Sequence, residues 1–369
     1  MHWIMSRHIV FVFCLVLLAN LPTYALRPPV LTTGRMKKAP PKIIRTCCAF
    51  GYELKIAGVP CKRISEITER KAIGPHFFLG DAREANGIIY THLGGFIDLG
   101  HLRDVADWTG YLYVQIQQAK GQPVTLSLGH EGGKKTLSLH VPADLPDSDA
   151  AALAARIAYE LSLWHEIGTW YGTSYIPFVP ERYSAFSPED QYSNLLGARL
   201  GLRAVLSAQR FEASMTRLLD STLTRLGAVS TRAETVAAME RVKNDWWTSN
   251  KRLPSKKVLI RRFVVPGDTL QPWTLPEENR SPVVLTVPAA TARLQNMYEL
   301  RFSLNRKIPF REIFPGREER CVTSDDFPVI MKYIQAAVTQ LEMAVQSELA
   351  AAEVKKKKKA LRRRRRSGL

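Results

Sequence analysis

Most of the marks by which an enzyme class is read from sequence are missing here. There is no glycine-rich phosphate loop, GxSxG elbow or dinucleotide fingerprint, and no internal repeat of fixed period. The HExxH zinc-protease pattern needs two histidines four apart on one helical face. After His165-Glu166 the required position holds Thr169, so that class is excluded as well. Cysteine is scarce, five in 369 residues. Cys47, Cys48 and the later Cys61 do not have the spacing of a four-ligand zinc site. Long apolar runs are also lacking. The run Ile9–Ala19 has eleven residues, against roughly 20 for a membrane-spanning helix.

What is present begins with that run. Arg7 precedes it, and Thr23-Tyr24-Ala25 follows with small residues at the −3 and −1 positions. This is the pattern of a secretory signal over residues 1–25, cleaved after Ala25. A membrane anchor is the competing reading, and the run is short for one. The expected location is therefore periplasmic or secreted, with no transmembrane helix in the mature chain. Export leaves Cys47, Cys48, Cys61 and Cys321, an even number that suggests disulfides with three possible connectivities. Pairing adjacent Cys47 and Cys48 strains the intervening peptide. The expected bridges therefore join one of the two to Cys61 and the other to Cys321.

The formal charge of +18 sits largely at one end. Lys355–Lys359 and Arg362–Arg366 carry ten positive charges, leaving +8 for the remainder. A run of this density reads as a solvated, disordered tail over residues 355–369. Its expected partners are anionic lipid or an anionic envelope polymer, with nucleic acid ranked below them in an exported protein. A mobile tail without a ligand is the plainer alternative.

Composition, 46% hydrophobic and 23% charged, suits a chain that buries a sizeable core. Residues 26–45 are proline-rich and basic, an extended leader. Residues 46–314 read as the main globular domain and 315–354 as a C-terminal helical region. Short β-type runs at Gly87–Thr91 and Phe96–Leu99 flank a turn. A helix is expected over Leu99–Ala119, with Asp98 at its cap. Gly121–Pro142 alternates as a β-hairpin turning at Glu131-Gly132-Gly133, and Pro146–Gly172 holds a second helix capped by Asp147 or Ser148. Ser187-Pro188-Glu189-Asp190 is a helix start, and helices are expected over about 188–208, 212–226 and 231–247. Val258–Val265 and Val283–Val287 are strand candidates. The sum is an α+β fold, mainly α-helical, with a helical core and small antiparallel β-hairpins.

Two stretches carry candidate chemistry. Tyr159–Gly172 places His165 beside Glu166 among tryptophans, and Gly94–Trp108 places His101 among Asp98, Asp104 and Asp107. His101 and Asp104 are three apart and share a helical face, whereas His165 and Glu166 point about 100° apart. If the two helices pack side by side, His101, His165, Asp98 and Asp104 can ligate one divalent metal ion such as zinc, with a water in an open position. Without metal, His101, His165 and Glu166 are the catalytic candidates for acid–base work. A buried structural network of the same residues is the competing reading, since carboxylates pair readily with Arg103 or Arg156. A third route takes Cys47 or Cys48 as nucleophile with a histidine base, which an oxidising compartment disfavours. Asn86-Gly87 and Ser184–Asn194 are polar enough to line a cleft and specify no ligand.

Four motifs together resemble a known family: Cys47-Cys48-Ala49-Phe50-Gly51; Gly94-Gly95-Phe96-Ile97-Asp98-Leu99 with His101 and Arg103-Asp104; Trp164-His165-Glu166 with Thr169-Trp170-Tyr171-Gly172; and Ser184-Ala185-Phe186-Ser187-Pro188-Glu189-Asp190. They are similar to a bacterial exported family of unknown function, the domain of unknown function 4056, across roughly Thr46 to Asn305. The resemblance implies no activity, fold or catalytic residue, and the Lys/Arg tail lies outside it. The functional expectation is an exported hydrolase of an envelope component, metal-assisted or acid–base. The alternative is a non-catalytic envelope binding or scaffold protein docked through its basic tail.

Overall fold

The computed structural model describes residues 40–41, 45, 50–54, 66–172, 182, 184–250, 258, 260, 262–289 and 291–366. The expected signal segment, most of the leader, and Cys47, Cys48 and Cys61 lie outside the described residues.

The fold is built around one helix that is buried along most of its length. Strands β1 (Ile88–Thr91) and β2 (Gly95–Asp98) form a tight antiparallel hairpin, Ile88 opposite Asp98. The chain then passes without a loop into α1 (Leu99–Ala119). Asp98 makes that junction possible. Its carboxylate accepts the amide of His101 at 3.0 Å, capping the first turn as expected. From Leu99 to Val114 every residue of α1 is buried, Arg103, Asp104 and Asp107 included. A helix without a solvent face must allot each side to a different neighbour.

Strands β3 (Pro123–His130) and β4 (Gly133–His140) follow as the expected hairpin, then α2 (Asp147–Trp170). Neither Asp147 nor Ser148 caps α2; Pro146 occupies the cap position without a side-chain hydrogen bond. Its fixed φ is compatible with a helix entrance, but it has no side-chain oxygen with which to accept a first-turn amide. Next come α3 (Pro188–Val205), α4 (Phe211–Arg225) and α5 (Arg232–Arg241). The last is closed by a Thr231/Glu234 capping box and ends earlier than the apolar spacing suggests. Val242 and Asn244, the latter at φ +67, turn the chain there.

Helix α1 packs against both α2 and α3. The contact with α3 is close because α3 turns small residues toward it. A Cβ on Gly197 would lie 2.2 Å from the carbonyl oxygen of Leu102, and one on Gly201 would lie 2.7 Å from Thr109. One turn before Gly197 on the same face of α3, Ser193 Oγ accepts the amide of Asp98 at 2.9 Å. These contacts bring the start of α3 against the start of α1.

The C-terminal third adds two-residue strands β5 (Thr269–Leu270) and β6 (Leu285–Thr286), and short helices α6 (Ala292–Gln295) and α7 (Phe310–Ile313). It also adds β7 (Tyr298–Leu304) and β8 (Cys321–Thr323). The strands β3-β4-β7-β8 form one antiparallel sheet, Leu137 opposite Leu300 and Phe302 opposite Val322. Trp164 of α2 stacks on Phe302 with ring centres 4.1 Å apart. The sheet therefore closes the α2 side of the core. Of the expected strand Val258–Val265, the described residues form none: Arg262 is drawn into a paired salt bridge with Glu189 instead.

Cys321 is a free, buried thiol on the sheet's last strand, so the expected bridge from there to the Cys47–Cys48 pair is not formed. Arg45 and Phe50 on either side of that pair are fixed against α1 and Phe96 of β2, whereas Cys321 belongs to the sheet on the α2 side. The last helix, α8 (Phe327–Arg366), is also a correction: the basic run is helical to Arg366 rather than an unstructured extension. Alanine, leucine, lysine and arginine are good helix formers, and cations are favoured at a helix C-terminus. Among the described residues no helix is long and apolar enough to cross a membrane. An α+β fold with a helical core and small antiparallel sheets is what the polypeptide adopts.

Candidate metal centre

Asp98 ends β2, His101 lies in the first turn of α1, and Asp190 lies in the first turn of α3. One potential ligand atom from each lies within 4.8 Å of the others, and all three residues are buried. His101 Nε2 and Asp190 Oδ1 are 3.8 Å apart. That is too long for a hydrogen bond, and Asp190 Oδ1 has no hydrogen-bond partner among the described residues. Two ligands that each sit about 2 Å from a shared zinc-like cation are roughly 3–4 Å from one another. An imidazole with two carboxylates is a donor set for a divalent ion, and three protein ligands leave a coordination position open.

The electrostatics agree with the geometry. Burial pushes the Asp190 carboxyl well above the usual carboxylate range; His101 opposes this, and the neighbouring acids Glu189, Asp98 and Glu166 add to it. A bare carboxylate is therefore unfavourable there, and a cation between the groups would relieve both the burial and the repulsion.

His165 stands beside this cluster, its ring centre 5.9 Å from that of His101. Its Nδ1 is 2.5 Å from Glu131 Oε1, and the other oxygen of Glu131 is 2.6 Å from Lys135 Nζ. Burial pushes Glu131 up, but Lys135 and His165 outweigh it and hold the carboxyl down at about 2. Glu131 is thus an acceptor, and Nδ1 of His165 donates to it. It reaches α2 because the β3–β4 register shifts between Ser127 and His130, with Gly129 at φ +83, a bulge that turns the hairpin end inward. The indole of Trp164 also donates to the Glu131 carbonyl at 2.6 Å, fastening the same turn.

Glu166 points the other way, as the 100° step requires. Its Oε2 accepts the amide of Phe186 at 2.6 Å and its Oε1 accepts Nδ2 of Asn194 at 3.3 Å. Asn194 Oδ1 in turn is 3.1 Å from His101 Nδ1.

Asp104, expected among the ligands, faces elsewhere. Arg45 bridges it at 2.8 Å, Asp107 at 2.9 Å and Glu84 at 2.7 Å, and His76 lies 2.9 Å from Asp107. Arg103 closes the set 3.1 Å from Glu84. Three buried carboxylates surround Arg45, and one of them retains its proton more readily. Burial and Asp107 raise Asp104 to about 7 against the pull of Arg45, while Arg45 and His76 hold Asp107 down despite its burial.

The structure thus brings together His101 and Asp98, sets His165 beside them, and removes Asp104. Asp190, Asn194 and Glu131 join the cluster or its surroundings although none of them is a candidate ligand or catalytic residue by sequence. Asp190 and Asn194 are four apart, on one helical face, inside a segment already noted as polar. Glu131 reads in sequence only as a turn residue. For the thiolate route, Cys47 and Cys48 lie outside the described residues.

These features define a mainly helical α+β protein with a buried His/Asp/Asp cluster where three elements meet. The chain belongs to the family described as Protein of unknown function (DUF4056), whose model matches residues 35–276. The match contains Asp98, His101, Glu131, His165, Glu166, Asp190 and Asn194, while β7, β8 and α8 lie beyond it. No curated protein and no solved structure matches the chain.

Proposed function

We propose that Asp98, His101 and Asp190 hold one divalent metal ion, such as zinc, and that the protein is an exported metal-assisted hydrolase of an envelope component. The observation that carries this reading is the buried Asp190 oxygen without a hydrogen-bond partner among the described residues, 3.8 Å from the imidazole nitrogen of His101. A divalent ion there supplies Lewis-acid chemistry and makes a water acidic enough to attack near neutral pH. His165, its ring centre 5.9 Å from that of His101, would take the proton. Glu131 accepts from Nδ1 and orients the ring, leaving Nε2 as the basic nitrogen. The water oxygen would bond to the carbonyl or phosphoryl centre, the bond from that centre to the leaving group would break, and the water proton would pass through His165 to the departing group. Asp104 has no part in this step.

Export rests on the N-terminal apolar run and its small-residue boundary. The Lys/Arg end of α8 would then hold the protein at an anionic lipid surface. Val345 is the last buried residue of α8 among those described, so the charged turns are not needed for the core.

The test combines binding with turnover. Purified protein is titrated with Zn2+ and then incubated with isolated envelope polymer and envelope lipid, with products read by mass spectrometry. The expected result is one tightly bound ion and a product that disappears on chelation, in Asp190→Asn and in His165→Ala. One bound ion with no turnover of any envelope fraction would instead establish a non-catalytic binding protein.

A further inference from the structure

The atoms behind His101 fix which of its two nitrogens can meet a metal. The chain of contacts starts at the amide of Phe186, which can only donate, and donates to Glu166 Oε2 at 2.6 Å. Phe186 holds this amide in place at φ +57, a conformation uncommon for a bulky side chain and maintained only by its surroundings. The other oxygen of Glu166 receives Nδ2 of Asn194 at 3.3 Å. An amide that turns its nitrogen toward a carboxylate turns its oxygen the opposite way. That oxygen faces His101 Nδ1 at 3.1 Å. An amide oxygen accepts only, so Nδ1 of His101 carries the proton.

A neutral imidazole protonated at Nδ1 has its lone pair at Nε2, the nitrogen on the Asp190 side. Phe186, Asn194 and Glu166 are all almost fully buried, so water does not compete for these bonds. We infer that Glu166 is a positioning residue that works through Asn194, selecting the His101 tautomer whose Nε2 lone pair is presented to a metal ion. The inference rests on the metal site proposed above. It also gives Glu166 a role without contact with substrate: the residue beside His165 prepares the opposite histidine.

The relay can be reversed by design. In Glu166→Gln the Phe186 amide still requires an acceptor, so the substituted side chain would present its oxygen there and its nitrogen to Asn194. Asn194 must then flip and offer Nδ2 to His101, which moves the ring proton to Nε2. Adding Asn194→Asp restores an acceptor on both sides: position 194 accepts from the introduced amide and from His101 Nδ1–H. Two readouts follow. The ring tautomer is read in metal-free, histidine-labelled protein at mildly alkaline pH from two-bond 1H–15N correlations. Zn2+ affinity is read by competition with a chelator, and a melting curve checks that each variant is folded.

The expected result is Nδ1–H in the natural protein, and Nε2–H in E166Q with affinity lowered about 10–100-fold, as outer-shell changes do. The E166Q/N194D pair should return to Nδ1–H and to within a few-fold of the original affinity. A natural protein with Nε2–H overturns the inference, and that spectrum needs no variant to fold. So does a folded E166Q with unchanged tautomer and affinity, or a folded double variant no better than the single one. If the tautomers switch as expected but no form binds Zn2+, the relay stands and the metal reading alone fails.

Discussion

Asp190 and Asp104 are both buried carboxyls raised above their usual range, and they differ in what faces them. Around Asp104 stand Arg45, Asp107 and the rest of an ion network; around Asp190 stand His101 and three further acids. Asp190→Asn keeps the shape and removes a charge that the interior disfavours. The metal-free variant should melt higher than the natural protein while losing Zn2+ binding, the exchange of stability for function expected at a binding site. A lower melting temperature with unchanged Zn2+ affinity would mean that Asp190 is structural. For Asp104 the sign follows from its raised value of about 7. Its contribution to stability is complete below the unfolded value near 3.8 and is lost as pH rises toward about 7. At about 1.4 kcal/mol per unit the loss is at most about 4 kcal/mol. Asp104→Asn should flatten the fall in stability over that range, measured by denaturant titration at several pH values. The sequence made Asp98 and His101 legible through the capping position and the spacing, and misassigned Asp104 for a physical reason. Helical spacing says which residues share a face, but a helix buried all round has several partners. Nothing in a period of 3.6 says which partner each face meets. Asp190 and Asn194 come from a helix about ninety positions away, and only packing places them there.

At the scale of elements, the site depends on how closely α3 approaches α1. Gly197 is the tightest point, since a methyl group there would meet the backbone oxygen of Leu102 at 2.2 Å, and backbone cannot move aside as a flexible side chain can. Gly197→Ala should destabilise the protein by about 1–3 kcal/mol or more. It should also weaken Zn2+ binding by separating Asp190 from His101. A denaturation midpoint and a Zn2+ titration on the same sample check both effects, and unchanged values would contradict the close packing. The elements themselves were largely readable. The boundaries of α1 and both long strands of the β3–β4 hairpin follow from a cap, a turn and clean alternation. The inward turn of Glu131 was not readable, because a bulge changes the direction of a side chain without changing the pattern around it. The segment around Arg262 reads as a strand from its β-branched residues, yet the bidentate pair with Glu189 and the stacking of Arg262 over Phe50 at 3.9 Å hold it in another path.

For the molecule as a whole, α8 continues from the core into the charged run. From Val345 to Arg366 it extends by about 30 Å at 1.5 Å per residue, and the described residues beyond Val345 are not buried. Removing residues 355–369 should therefore leave the melting temperature unchanged and abolish binding to vesicles containing anionic lipid, with the intact protein released as salt rises. Retained vesicle binding after truncation would refute the lipid role. Preferential binding of the intact chain to nucleic acid over vesicles would reassign the partner. The charge of this end was plain in the sequence, but its helical form was not, because charge density argues for solvation and says little about backbone conformation. Crystals of the full protein grown with Zn2+ bear most directly on the metal centre. Anomalous scattering should place a single ion about 2.0–2.2 Å from His101 Nε2 and from a carboxylate oxygen of Asp190, with Asp98 as the third ligand. No ion at that position, with Asp190 hydrogen-bonded directly to His101 in its place, would contradict it.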